Sequence, residues 1–214
     1  MRVAPIGLYF SDKRYEPEKI DIIGAKAAAL THGHELGYIP AAMLVHIILR
    51  IAESGDSIFE AVSDAIRVIP SVFPKAKHMD ELLTLVKKAI VLSSENADDL
   101  DAIRQLGEGW VAEETLAIAI YSALKYSDDF VKGVAAAVNH DGDSDSTGAV
   151  TGNILGTALG FEAIPQKYLD KLELKDVILE IAENLQHDCQ IMEYGPEDDL
   201  WESKYIRMSY SGKV

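Results

Sequence analysis

Residues 139–160 constrain this chain more than any other stretch: N-H-D-G-D-S-D-S-T-G-A-V-T-G-N-I-L-G-T-A-L-G. The first half sets Asp141, Asp143 and Asp145 within five positions, with hydroxyls at Ser144, Ser146 and Thr147. The second half repeats glycine every fourth residue, at Gly148, Gly152, Gly156 and Gly160, a spacing that lines one face of a helix. A mid-helix glycine costs roughly 0.5–1 kcal/mol against alanine. The stripe therefore predicts a helix pressed by that face against another backbone or a ligand. Three crowded carboxylates repel one another unless something positive sits among them. Carboxylate and hydroxyl oxygens together are the donor set that hard cations such as Mg²⁺ or Mn²⁺ prefer. The run reads as an acidic metal loop feeding a closely packed helix. The bland alternative is a solvated loop whose Asp and Ser side chains cap a helix, and it gives no reason for the glycines that follow.

Two other chemistries can be weighed on the same residues. An EF-hand loop starting at Asp141 needs glycine sixth and glutamate twelfth, where the chain has Ser146 and Gly152. An aspartyl phosphotransferase of the D-x-D-x-T kind would use Asp143, Asp145 and Thr147, with the first aspartate ending a buried strand. Residues 134–138 are alanine-rich and residues 139–142 intervene, so the phosphatase reading is the weaker alternative.

The rest of the chain carries helical punctuation and no alternating strand. Pro17 suits the first turn of a helix running to Leu30. Pro40 reads as the start of a second, over residues 41–52, with Met43, Leu44, Ile47, Ile48 and Ile51 on one face. Ser57 caps a third that closes at Pro70, and Asp80 starts a fourth. Residues 98–106 give a short helix ended by Gly107 and Gly109. Residues 110–124 form the next, and residues 127–129 cap a helix over 130–138. Pro165 opens a last pair, 167–172 and 175–185, and residues 201–214 read as irregular. Residues 1–10 read as a buried connector. The expectation is an all-α single domain, residues 1–214, of about nine helices.

Composition closes off some functions. The chain has 35 acidic residues against 20 Lys plus Arg, a formal charge of −15, a field that opposes nucleic acid and anionic lipid. A single cysteine, Cys189, excludes an internal disulfide framework and suits a reducing cytoplasm. No apolar run is expected to reach the roughly 18–20 residues of a membrane span. The expected partners therefore exclude nucleic acid and membrane.

In order along the chain, the motifs resemble those of the ADP-ribosylglycohydrolases. Met1-Arg2-Val3-Ala4-Pro5 is similar to the family's internal M-R-x-x-P segment, and Thr31-His32 to its [ST]-H motif. Gly109-Trp110-Val111-Ala112-Glu113-Glu114 is similar to its G-[YW]-x-x-E segment. Residues 142–146, followed by the glycine helix and Ile164-Pro165, match its late G-D-[ST]-D-[ST] motif. The resemblance implies an all-α bundle and metal-dependent hydrolysis of the glycosidic bond joining ADP-ribose to a protein side chain or small acceptor. It implies Asp143, Asp145 and Ser146 as ligands of a two-ion Mg²⁺ or Mn²⁺ site, with both aspartates also catalytic. It implies His32, Trp110 and Gly142 as substrate-binding residues. On residues alone His32 could simply end a helix, and Trp110 could be a core anchor. The family's earlier T-D-D-T motif has no counterpart here, so the chain is expected to be the C-terminal portion of such an enzyme, holding half a metal site. That leaves open a non-catalytic module binding ADP-ribose or a cation. Apolar surface near the start, residues 1–10, predicts self-association.

Overall fold

The computed structural model describes residues 1–13 and 15–186, and the expected irregular tail and Cys189 lie outside them. The chain divides into two compact units, Met1–Leu172 and Glu173–Val214. The first holds α1 (Ala4–Phe10), α2 (Pro17–Ala29), α3 (Glu35–Ser54), α4 (Ile58–Val72), α5 (Met79–Ser94) and α6 (Asp99–Arg104). It continues with α7 (Ala112–Lys125), α8 (Phe130–Val138), α9 (Ser144–Leu159), a 3₁₀ turn at Phe161–Ala163 and α10 (Gln166–Leu169). The second holds α11 (Lys175–Gln186). No strand occurs among the described residues, and the fold is all-α as expected.

Two helices form the centre. Along α3 the apolar residues reach almost all round, and Ile47, Ile48 and Leu49 are fully buried beneath α1, α2, α4 and α7. Residues 116–123 of α7 are buried without interruption against α5, α8, α9 and α3. A helix apolar on every side has to lie inside, and each fully buried Ile or Leu contributes about 1.5–3 kcal/mol. By length and composition α3 could cross a membrane, contrary to the expectation from apolar runs. Its apolarity is instead that of a core helix, since most of it is covered by its neighbours.

Local signals place the remaining ends. Ser57 and Glu60 form a reciprocal capping box on α4, satisfying N–H groups that a helix start leaves free. Asp98 and Asp129 cap α6 and α8 with their carboxylates. The largest departures from the sequence reading are three. Residues 1–10 are not a connector: α1 lies on α3 so closely that a Cβ on Gly7 would meet the Val45 carbonyl oxygen at 2.8 Å. α3 begins at Glu35, five residues before Pro40, because the His34 imidazole caps it by accepting from the Leu36 N–H at 3.2 Å. α4 runs past Pro70 to Val72.

The glycine stripe also resolves unevenly. A Cβ on Gly148 would touch the Val138 side chain at 2.5 Å, which is the expected close packing of α9 on α8. Among the described residues Gly152 and Gly156 face no atom within 4 Å, and Gly160 ends the helix at φ +79°. Of the described elements, only α8 is pressed against the stripe, at its Gly148 end.

Candidate active site

The acidic loop is held from both sides by hydrogen bonds. His140 Nδ1 accepts from the Gly142 N–H at 3.0 Å, which puts the ring proton on Nε2, 3.0 Å from the Thr147 hydroxyl. Thr147 is fully buried and donates in turn to the Ala137 carbonyl at 2.6 Å. The loop is thus tied to the end of α8 through His140, which sequence reasoning did not pick out. Its position one residue before the acidic run was the signal. With Thr147 so committed, with Asp143 at a helix start and with helix α8 before the loop, nothing of the strand-ending phosphatase arrangement is present among the described residues.

On the other side lies the turn at residues 107–109. Gly107 and Gly109 adopt φ +124° and +82°, conformations that favour glycine. The Glu114 carboxylate accepts from the Glu108 and Gly109 N–H groups at 3.0 Å each, and the Thr115 hydroxyl donates to the Gly109 carbonyl at 2.7 Å. The Asp143 N–H donates to the Glu108 carbonyl at 2.7 Å. Gly142 sits where a Cβ would lie 1.8 Å from that carbonyl oxygen. The close approach glycine permits at this position is to the Glu108 backbone, so the sequence reading of Gly142 as a ligand-facing residue lacks support from its packing.

Asp143 caps α9, its carboxylate accepting from the Ser146 N–H at 3.3 Å. A hydrogen bond from Asp145, joined by Ser146, holds the Asp143 carboxyl below its ordinary range. The same hydrogen bond and the Asp143 charge push Asp145 up. A cation placed between the two carboxyls would relieve their mutual repulsion.

Asp143 and Ser146 open onto a cavity of about 700 Å³, and His32, Trp110, Arg2 and Glu113 line the same cavity. Four of the predicted residues, drawn from three distant segments, therefore meet there. Trp110 is 67% exposed, which rules out the core-anchor reading. Arg2 donates to the Thr31 hydroxyl at 2.9 Å, and that hydroxyl lies 2.7 Å from His32 Nδ1, so Arg2 and His32 are positioned together. Asp145 is exposed beside Asp143 and does not line the cavity. Gly142 lines a second cavity of about 550 Å³ with His140 and Asp141, and Trp110 borders both. The donor set of Asp143, Asp145 and Ser146 fits a hard cation in kind. It falls short in number, because no group of three or more His, Cys, Asp or Glu among the described residues could hold a metal ion.

A family model described as ADP-ribosylglycohydrolase matches residues 1–194. An uncharacterized protein of Archaeoglobus fulgidus is 29% identical over 188 residues, covering 86% of this chain and 56% of that one. The ADP-ribosylarginine hydrolase Tri1 of Serratia proteamaculans is 35% identical over 100 residues, covering 47% and 25%. The ADP-ribosylhydrolase ARH3 of Bos taurus is 24% identical over 194 residues, covering 81% and 52%. The chain spans about half the length, or less, of the curated relatives it matches.

Proposed function

Because the chain belongs to the ADP-ribosylglycohydrolase family, we propose that the 700 Å³ cavity takes an ADP-ribosyl group and that the chain serves its metal-dependent hydrolysis from an acceptor. The acceptor is a modified protein side chain or a small molecule. The observation that carries this is the convergence of His32, Trp110, Asp143 and Ser146 on one cavity. A bound Mg²⁺ or Mn²⁺ pair would supply a template for the ribose and an activated water. Asp143, Asp145 and Ser146 are the oxygens this chain offers to it, and the remaining positions of a near-octahedral shell fall to water, to substrate and to donors beyond this set. Arg2 offers the cavity a cation for the diphosphate, which the chain's net negative charge would otherwise repel. Trp110 offers a flat face for the base or ribose. The reducing cytoplasm is the proposed place of work.

A second reading, of a module that binds ADP-ribose without cleaving it, is favoured by the short donor count. The two separate in one assay. With Mn²⁺, the chain should release ADP-ribose from a mixed pool of ADP-ribosylated proteins, and a chelator or Asp143→Ala should cut release at least roughly tenfold. Binding without release supports the module, and neither binding nor release sinks both. Trp110→Ala should weaken ADP-ribose binding by roughly 1–3 kcal/mol, the range of base–aromatic stacking. An unchanged dissociation constant by calorimetry would remove Trp110 from the site.

A further inference from the structure

Adjacent glutamates at the start of α7 have opposite situations. Glu114 spends its carboxylate on two backbone N–H groups of the turn at residues 107–109. Glu113 is 9% exposed and lines the main cavity, and its Oε2, sealed from solvent, has no hydrogen-bond partner among the described residues. A buried acceptor left in that condition weakens the fold, and each such group in a native fold calls for an explanation. The groups acting on it are Glu114, Glu81 and His34, and with burial the first two push its carboxyl above the ordinary range. This acidic corner repels a phosphate, and the neutral hydrogen-bond donors that an ADP-ribosyl group brings are its ribose hydroxyls and its base amine.

We propose that Glu113 is a ligand-reading residue whose carboxyl turns toward the cavity and accepts a hydrogen bond from a ribose hydroxyl of the group bound there. The proposal rests on the reading of that cavity as an ADP-ribosyl site. It accounts for why a carboxyl is kept at a wall built otherwise of Val111, Ala112 and Leu116, where an apolar side chain would suit the folded protein better. Stability is given up in the empty protein and recovered when the ligand arrives.

The test measures melting temperature and the affinities of ADP-ribose, ADP and inosine diphosphate on the full chain, for wild type, Glu113→Leu and Glu113→Gln. Glu113→Leu should melt no lower than wild type and bind ADP-ribose roughly 3–10-fold more weakly, one hydrogen bond's worth. Glu113→Gln keeps an acceptor oxygen and should recover part of the affinity. Weakening confined to ADP-ribose assigns the terminal ribose. Equal weakening for all three ligands assigns the ribose of the nucleoside. A loss for ADP but not for inosine diphosphate points to the adenine amine and overturns the hydroxyl assignment. Wild-type affinity in Glu113→Leu, or a marked fall in its melting temperature, overturns the proposal while leaving the cavity reading intact. A wild-type chain that binds none of the three overturns that reading and the proposal with it.

Discussion

Alanine in place of His46 should cost about 3–5 kcal/mol and lower the melting temperature by roughly 6–20 °C in a chain of this size. His46 is 1% exposed in the middle of α3. Its Nδ1 lies 2.9 Å from Asp21 Oδ2 on α2 and its Nε2 lies 3.1 Å from Asp64 Oδ2 on α4. Both ring nitrogens can donate only in the imidazolium form. Asp21 is fully buried, and its Oδ1 has no partner among the described residues. Without the imidazole its carboxylate would be an uncompensated charge at the α2–α3 contact, the costly way to break a buried ion pair. Asp64 suffers less, since it also pairs with Arg67 and lies 3.7 Å from Arg50. Replacing both core partners by leucine removes the charge along with its counter-charge, so Asp21→Leu/His46→Leu should recover most of the loss. A His46→Ala protein within about 1 kcal/mol of wild type by urea unfolding would refute this account.

The same network sets a pH dependence. Burial alone would lower the His46 pKa, but the Asp21 and Asp64 carboxylates outweigh it and raise it. A histidine whose folded value lies above its ordinary 6.5 contributes stability in full below 6.5 and loses it as pH rises through the folded value. Asp21 acts in the same direction. Its carboxyl is raised by burial, with Glu18 and Asp64 adding to the rise and His46 opposing it. Asp64 acts in the opposite direction. Burial would raise it, but Arg67 and His46 hold it below its ordinary 3.8, so its share is present above that value and is lost only in strong acid. Melting temperature should therefore fall from mildly acidic pH toward pH 9, and Asp21→Leu/His46→Leu should flatten that slope. An equal slope in both proteins would place the titration elsewhere.

What was legible from the sequence follows the range of each interaction. Ser57 with Glu60, Asp98, Asp129 and Pro17 announce helix starts because each cap or first turn is written within three or four residues. The all-α class follows from apolar periodicity, which is also local. His46 read as a packed or edge histidine, because its carboxylates are 25 residues before it and 18 after it, and no spacing rule connects them. His34 was missed as a cap because imidazole is an uncommon one. Asp143 and Ser146 were legible in the acidic loop itself, but His32 and Trp110 were found through the family's motifs, since residues 32, 110 and 143 share no local period. Glu113 stood inside a recognised motif. Its unpartnered oxygen is a property of the packed helix start, which a string of residue types does not contain.

Gly142→Ala should damage the site out of proportion to the fold, while Gly152→Ala should do neither harm. On the sequence these are two glycines of one acidic loop and helix, ten residues apart. In the structure a Cβ on Gly142 would lie 1.8 Å from the Glu108 carbonyl oxygen and 2.6 Å from its carbon. A backbone group cannot swing aside as a side chain can, so the loop and the turn at residues 107–109 must part. Overpacking of this kind costs about 1–3 kcal/mol, and the movement would break the 2.7 Å bond from the Asp143 N–H to Glu108. Asp143 would then leave its place at the head of α9, and with it the oxygen set shared with Asp145 and Ser146. Cation-dependent ADP-ribose binding should fall by at least roughly tenfold, given the sensitivity of such sites to displacements near 1 Å. Gly152 meets no atom of the described residues within 4 Å and lies within α9, so alanine there should stabilise the chain by about 0.5–1 kcal/mol and leave binding as it was. Urea unfolding and calorimetric titration of both proteins decide it. If Gly142→Ala binds as wild type does, the contact with Glu108 is not what positions the carboxylates. If Gly152→Ala destabilises, the open face of α9 is covered in solution.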